Sequence, residues 1–292
     1  MSSPPRWKTR PARRSPPGRS GYGASMNRTA LVTGASSGIG RATAAALVER
    51  GYRVLGTCRA PHDLAAGRRV AGVDYLALDL ADESSVEALA GPLEGVDVLV
   101  DNAGESHSGP FEELPPGELR RLFQVNVFGP VRLAQLAIPG MRERGHGRIV
   151  MVGSMLASFP LAYRSSYVAT KAALKGFSNA ARHELSPFGV WLTTVEPGSI
   201  NTGISERRTK HIAPDSPHRP DFETMLAALD RNERSGVSAE RVATVIVRAI
   251  ETKRPKQLYA VGSNAPVVFA LRRVAPTSLA EKLTHRRHAL RR

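Results

Sequence analysis

The chain has 292 residues, 41% hydrophobic and 23% charged, which is the composition of a soluble globular protein long enough for one large α/β domain. Its single cysteine, Cys58, excludes an internal disulfide framework and fits a reducing, cytoplasmic setting, with the thiol as a small buried strand residue. The net charge of +15 is concentrated at the ends: residues 1–25 hold six Arg or Lys and no acid, residues 271–292 hold seven and one Glu, and the body keeps only +3. A nearly balanced body excludes a nucleic-acid reader, and no stretch approaches the ~20 apolar residues of a membrane span.

Residues 1–25 are rich in Pro, Arg and Ser, lack the apolar run of a signal peptide and read as a disordered basic leader. Met26, next to the first strand, is a candidate translation start. The domain spans residues 26–262. A short apolar strand at 30–33 runs into T-G-A-S-S-G-I-G (Thr33–Gly40) and a helix at 41–50. Further apolar runs predict strands at 53–58, 75–78, 96–101, 148–153, 190–195 and 257–261. Between them, helices are predicted at 83–92, 116–144, 166–186 and 237–252. Alternation of this kind implies a Rossmann-type doubly wound parallel sheet of about seven strands in one domain. Residues 199–235 are polar, carry Pro214, Pro217 and Pro220, and hold one helical stretch near 222–229, so they predict a lid. Residues 263–292 form a basic, partly apolar extension (Val267, Val268, Phe269, Leu271). It reads as a terminal helix packed on the body, or else as a lipid-facing surface helix.

The glycine turn is the first chemical signal. Gly34 permits a sharp bend, Gly38 permits close approach of a ligand, and Gly40 permits tight helix–strand packing. The helix N-terminus behind it suits the pyrophosphate of a dinucleotide. Tyr167 and Lys171 lie four apart in a helical stretch and share a face. Ser154 ends the fifth strand, where the crevice opens, so the three polar groups converge there. A nearby ammonium lowers a phenol's pKa from about 10, which makes Tyr167 an acid for reduction and a base for oxidation. Ser154 is placed to hydrogen-bond the carbonyl oxygen. Asn126, in F-Q-V-N-V-F-G-P, is a poor helix-interior residue, read either as a buried Asn with a backbone partner or as the site of a local helix distortion.

These motifs together resemble the short-chain dehydrogenase/reductase family in its single-domain form, over about residues 28–260. T-G-A-S-S-G-I-G matches its cofactor turn, D-N-A-G (Asp101–Gly104) its N-N-A-G element, and E-P-G-S-I-N-T (Glu196–Thr202) its P-G-x-x-x-T element. Asn126, Ser154, Tyr167 and Lys171 match its four catalytic positions in order. The resemblance implies that Lys171 also binds the nicotinamide ribose and that Asn126 holds a water in a relay towards Lys171. It implies cofactor contacts from Gly34, Ser36, Ser37, Gly38, Ile39 and Gly40 in the turn, and from Tyr167. Asp79 would contact the adenine, with Leu80 beside it, and Asn102, Ala103 and Gly104 would line the cofactor. In the last element Pro197, Gly198 and Ile200 would line it, and Thr202 would bind the carboxamide. It also implies a homodimer or homotetramer through the helices of Asn126 and Tyr167. Asp101 departs from the family's Asn; it keeps an acceptor but loses an amide donor, which puts some strand bracing in doubt.

The second strand ends in Cys58-Arg59 with no carboxylate for a ribose hydroxyl, and Arg59 can pair with a 2′-phosphate, so NADP(H) is expected over NAD(H). Met151, Met155, Leu156, Phe159, Leu161 and Tyr163 surround the catalytic loop and predict an apolar pocket. The expected reaction interconverts a carbonyl and an alcohol on a bulky apolar substrate of steroid, retinoid or acyl type. The alternatives are a non-catalytic NADP(H)-binding regulator, suggested by the basic tails, and a reductase associated with a lipid surface through the C-terminal segment. No H-x-x-x-H spacing is present among the eight histidines, so no metal is expected. His107 reads as a solvated loop residue, and Glu105 and Glu112–Glu113 form no evident carboxylate pair.

Overall fold

The computed structural model describes residues 28–203, 206–274 and 276–290. The expected leader, Met26 and the last two residues of the extension lie outside the described residues. Seven parallel strands form the central sheet: β1 (Thr29–Val32), β2 (Arg53–Cys58), β3 (Val73–Ala77), β4 (Val98–Asp101), β5 (Gly147–Val152), β6 (Val190–Pro197) and β7 (Leu258–Val261). Their spatial order is β7-β6-β5-β4-β1-β2-β3, so the winding reverses between β1 and β4. That reversal opens the crevice at the carboxyl ends of the strands.

Side chains alternate across the sheet, and each face has its own core. Leu31, Leu99, Ile149 and Met151 point to one side, where they meet Leu133, Ala137 and Met141 of α5 (Gly129–Glu143) and Leu174 of α6 (Ser165–Leu185). Ala30, Val32, Val98, Val100 and Val150 point to the other, against Ala44 and Leu47 of α1 (Gly38–Glu49) and Val242, Ile246 and Ile250 of α8 (Ala239–Glu251). Strands covered on both faces need apolar residues at every position, which is why they read as runs.

Two predicted helices are interrupted. The stretch at 83–92 is two short helices, α2 (Glu83–Glu87) and α3 (Ala90–Glu94). Asp82 starts the first, its Oδ1 accepting from Ser84 N at 2.9 Å. The long stretch at 116–144 is α4 (Pro116–Phe123), a π-helical turn at Gln124–Phe128, and α5. The distortion expected as one alternative at Asn126 is therefore present.

The insertion at 199–235 is tied at both ends. Ile200–Asn201 pairs with Val237–Ser238, and Thr209–Lys210 pairs with His107–Ser108 across the crevice. Its helix, α7 (Arg219–Arg234), is longer than predicted and buries Phe222, Met225, Leu226 and Leu229, one helical face, against Leu161 and Leu290. The extension forms α9 (Ala265–Val274) and α10 (Thr277–Arg287). Val268, Phe269 and Ala280 pack on Met155 and Phe159, so these helices sit against the catalytic loop. Among the described residues no helix is long and apolar enough to cross a membrane.

Candidate active site

A cleft of about 800 Å³ opens at the carboxyl ends of the strands. One end is the glycine turn. Gly38 has φ +53° and would bring a Cβ to 3.3 Å from Thr202 Cβ. A Cβ at Gly40 would meet Gly34 O at 2.3 Å and Asn102 Nδ2 at 2.5 Å, so only glycine lets α1 approach the strand ends this closely. Gly40 therefore supports the turn from behind, while Gly34, Ser36, Ser37, Gly38 and Ile39 line the cleft. Thr33 Oγ1 accepts from Asn102 N and Ala103 N, both at 2.9 Å, and Asn102 Nδ2 donates to Thr33 O at 2.9 Å. These bonds brace β1 to β4.

Asp101 does not take part in that bracing. Its carboxylate is buried with no hydrogen-bond partner on either oxygen, and burial holds it well above the usual carboxylate range, opposed by the charge of Lys171. The strand bracing that an Asp was expected to weaken is supplied by Asn102 and Thr33 instead.

Arg59, Asp79, Leu80, Asn102, Ala103 and Gly104 line the cleft with the turn, as do Pro197, Gly198, Ile200 and Thr202, the last of them packed against Gly38. Arg59 is exposed at the end of β2, and Cys58 is partly rather than fully buried. Asp79 Oδ1 accepts from Ala81 N at 2.9 Å, which shapes the turn after β3. Sequence reasoning missed Arg207: its Nη1 donates to Ser37 Oγ at 3.1 Å, so a cation of the insertion stands over the glycine turn. The turn, its shaped backbone and the arginines Arg59 and Arg207 suit an anionic dinucleotide.

Ser154, Tyr167 and Lys171 all line the cleft, with Ser154 hydrogen-bonded to Tyr167 and Lys171 Nζ 5.8 Å from the Tyr167 ring centroid. Ser154 follows β5 in extended conformation, and its Oγ accepts from Leu156 N at 3.2 Å, which starts a short 3₁₀ turn. Tyr167 and Lys171 sit on one face of α6, both buried. Lys171 Nζ donates to Val152 O at 3.0 Å. Burial pulls the Lys171 ammonium down to about 8, against the charge of Asp101, which raises it.

Tyr167 differs from expectation. Burial raises its pKa above the ordinary phenol value, while the Arg164 guanidinium and a hydrogen bond with Ser154 pull the other way. The cation nearest its ring is Arg164, with Cζ 4.4 Å from the ring centroid; Lys171 Nζ is 5.8 Å away. Arg164 is itself buried, donates to Ser108 Oγ at 2.9 Å and to Ser106 Oγ at 3.0 Å, and is drawn down to about 10 by burial. The expected acidification by Lys171 thus gives way to desolvation of the phenol, countered by Arg164. An arginine inside the apolar segment L-A-Y-R-S-S-Y was the available sequence signal.

Asn126 does not line the cleft; it stands behind Gly104. Its Oδ1 accepts from Glu105 N at 2.8 Å, and its Nδ2 donates to Glu105 O at 3.0 Å and Thr170 Oγ1 at 3.2 Å. The side-chain amide thus bonds a neighbouring peptide on both its polar groups. The π turn presents Asn126 there, linking the irregular segment after β4 to α6.

The far end of the cleft is apolar. Met155, Leu156 and Phe159 line it together with Val268, Leu271 and Leu283 of the extension. Met151, expected at this pocket, belongs to the sheet core, and Leu161 and Tyr163 pack on α7 instead. Glu233 of α7 reaches this end too, and its carboxylate is raised by burial against the pull of Arg208 and Arg164. His107 is buried, not solvated, and touches His211 of the insertion.

Residues 28–213 match the short chain dehydrogenase family. The chain is 30% identical over 242 residues to the 3-ketodihydrosphingosine reductase of Bacteroides thetaiotaomicron, covering 82% of this chain and 90% of that protein. It is 33% identical to a short-chain dehydrogenase of Streptomyces avermitilis of known crystal structure, with a TM-score of 0.74 over 91% of this chain and 98% of that one. A short-chain dehydrogenase from Sphingobium yanoikuyae in complex with NADPH superposes with a TM-score of 0.66 at 25% identity, over 84% of this chain and 94% of that one. The chain belongs to the short chain dehydrogenase family and is an oxidoreductase.

Proposed function

We propose that this chain uses NADPH to reduce a ketone or aldehyde on a bulky apolar substrate of steroid, retinoid or acyl type, and that it runs the reverse oxidation with NADP⁺. The observation that carries the reading is the meeting of Ser154, Tyr167 and Lys171 between a glycine-turn end and an apolar end of one cleft. The cofactor, when bound, supplies or accepts the hydride.

The chain's own residues do the rest. Ser154 donates a hydrogen bond to the carbonyl oxygen where negative charge develops. Tyr167 donates its phenolic proton to that oxygen in reduction and takes it back in oxidation. Lys171 keeps a positive charge near the phenol and would bind the cofactor ribose, and Asn126 ties the segment after β4 to α6 at Thr170, next to Lys171. Gly34, Ser36, Ser37, Gly38, Ile39 and Gly40 form the pyrophosphate cradle. Arg59 receives the 2′-phosphate, supported by the lack of any carboxylate at the end of β2. Asp79 and Leu80 would hold the adenine, Asn102, Ala103 and Gly104 would line the cofactor, and Pro197, Gly198, Ile200 and Thr202 would hold its nicotinamide end, all of them residues that line the cleft. A relative that is a 3-ketodihydrosphingosine reductase and a structural neighbour solved with NADPH support the substrate and cofactor classes.

The insertion at 199–235 and the helices α9 and α10 act as a two-part lid, supported by the cleft-lining positions of Arg207, Glu233 and Leu283. Half-exposed Phe128 and Phe177 on the helices of Asn126 and Tyr167 support pairing of those helices between subunits. A lipid-surface association is favoured by Val267 and Leu279, exposed beside basic residues on α9 and α10. Flotation with liposomes, with and without residues 266–292, tests that second reading.

The decisive experiment measures NADPH oxidation over a panel of ketones and aldehydes with the wild type and Tyr167→Phe. Loss of a positioned acid lowers kcat by about 10²–10⁴-fold. Equal rates for the two proteins would remove Tyr167 from the reaction.

A further inference from the structure

Three side chains from separate parts of the chain meet at the edge of the cleft. His107 follows β4, Glu118 lies in the first turn of α4, and His211 follows the strand Thr209–Lys210 of the insertion. Their donor atoms all lie within 4.8 Å of one another. We infer that His107, Glu118 and His211 form a binding site for a divalent ion of the Zn²⁺ class, which fastens the insertion to the wall of the cleft.

The spacing of the two imidazoles is the first argument. His107 Nδ1 and His211 Nε2 are 3.2 Å apart. Two nitrogens bound to one tetrahedral zinc at about 2.0–2.1 Å each are about 3.3 Å apart, so the two imidazole nitrogens already have the spacing of a shared ion. Two imidazoles and one carboxylate form a donor set that favours zinc and its transition-metal neighbours over magnesium or calcium.

The second argument is the outer shell. The Glu105 carboxylate faces the remaining nitrogen of His107, with Oε2 3.7 Å from Nε2, and Arg121 holds that carboxylate at 2.6 Å. A carboxylate behind a ligating histidine fixes the ring and raises its basicity. The backbone is also prepared: His211 N donates to Ser108 O at 2.9 Å, and a Cβ at Gly109 would meet His211 O at 2.4 Å, so glycine there lets the two segments close together.

Three protein ligands leave one position of a tetrahedral ion open. His107 and Glu118 both line the cleft, so that position faces into it. The ion would bridge the strand after β4, α4 and the insertion, of which the strand and the insertion already pair at His107–Ser108 and Thr209–Lys210, while Arg121 ties α4 to Glu105.

The test uses the purified full chain, stripped with a chelator and titrated with Co²⁺ and then Zn²⁺. The expected result is uptake of one Co²⁺ per chain with the intense visible absorption of a four-coordinate site, displaced by Zn²⁺, together with a rise in Tm. His211→Gln and Glu118→Gln should each weaken binding at least about tenfold, while His218→Gln, on a histidine paired with Glu112 elsewhere in the insertion, leaves it intact. If His211→Gln fails to fold in the metal-free state, Glu118→Gln decides. No saturable uptake would reduce the cluster to a plain His–His hydrogen bond and overturn the site. Undiminished affinity in the variants would place the ion elsewhere and overturn it equally. The readout is metal binding, so neither outcome bears on the proposed reduction.

Discussion

On the nucleotide side of the cleft, β1, α1 and β4 meet through backbone groups, glycines and the hydroxyl of Thr33. On the substrate side, α6, α7 and the loop at 105–108 meet through buried charges. Arg208 there is fully buried, donating to Asp230 Oδ1 at 2.7 Å and to both oxygens of Glu233 at 2.6–2.7 Å. Arg164 bridges Ser106, Ser108 and the ring of Tyr167. Backbone contacts fix a shape common to many ligands of one kind. Buried charges instead require specific partners, so each one lost leaves another uncompensated. The difference teaches that the substrate side is where single substitutions should act on stability and chemistry together.

The largest effect is expected at Arg208. Arg208→Ala strands Asp230 and Glu233, and removal of one partner from a buried ion pair costs about 3–5 kcal/mol. Thermal unfolding should show a lower Tm. If Tm is unchanged while KM rises, the insertion opens independently of the body, and the contrast between the two sides becomes one of mobility.

On the glycine-turn side, Arg59→Asp replaces the proposed 2′-phosphate partner with a repelling charge. Charged hydrogen bonds of about 1.5–3 kcal/mol predict a fall of roughly ten- to a hundredfold in the NADPH/NADH ratio of kcat/KM. Stability should hardly change, because Arg59 is exposed. A drop in Tm comparable to that of Arg208→Ala would erase the contrast.

Arg164→Gln removes a desolvated cation over the Tyr167 ring, an interaction of about 1–2 kcal/mol, and kcat should fall about tenfold at neutral pH. Arg164 lowers the phenol's pKa, so its loss lets that pKa rise further. The limb of the alcohol-oxidation profile that reports loss of the Tyr167 proton therefore moves to higher pH. A limb that stays in place would assign the tuning to Lys171.

The smallest effect lies far from the cleft. His146, between α5 and β5, is held down to about 4, first by burial and then by Arg148. It stays neutral in the folded chain while it titrates near 6.5 in the unfolded chain, so its contribution is complete above about pH 6.5 and is lost as pH falls towards 4. Discounted for the partial exposure of the ring, that loss is about 1–2 kcal/mol. His146→Gln should flatten the stability profile across this window in denaturant titrations.

Much of the fold was legible because its signals are local. Each strand is an apolar run, the glycine turn is eight contiguous residues, and Tyr167 and Lys171 are one helical turn apart. At Asn126 a helix distortion was one of two readings, because an amide competes with helix hydrogen bonds yet is equally at home buried on a backbone partner. The break at 88–89 went unread, since a continuous helix and two short ones share one pattern. The pocket was half-read: Met155, Leu156 and Phe159 line it, but whether an apolar side chain faces a cleft, a core or α7 depends on elements it meets only after folding.

The sequence by itself determined the alternation of strands and helices, the place of the glycine turn and the order of the reactive side chains, because hydrophobic period and backbone freedom act between neighbours. Only the tertiary structure decided which cation faces Tyr167, that α9 and α10 join the cleft wall, and that His107 meets His211. Those contacts join residues far apart in the chain, and the desolvation that sets their charges exists only once the folded chain has excluded water from them.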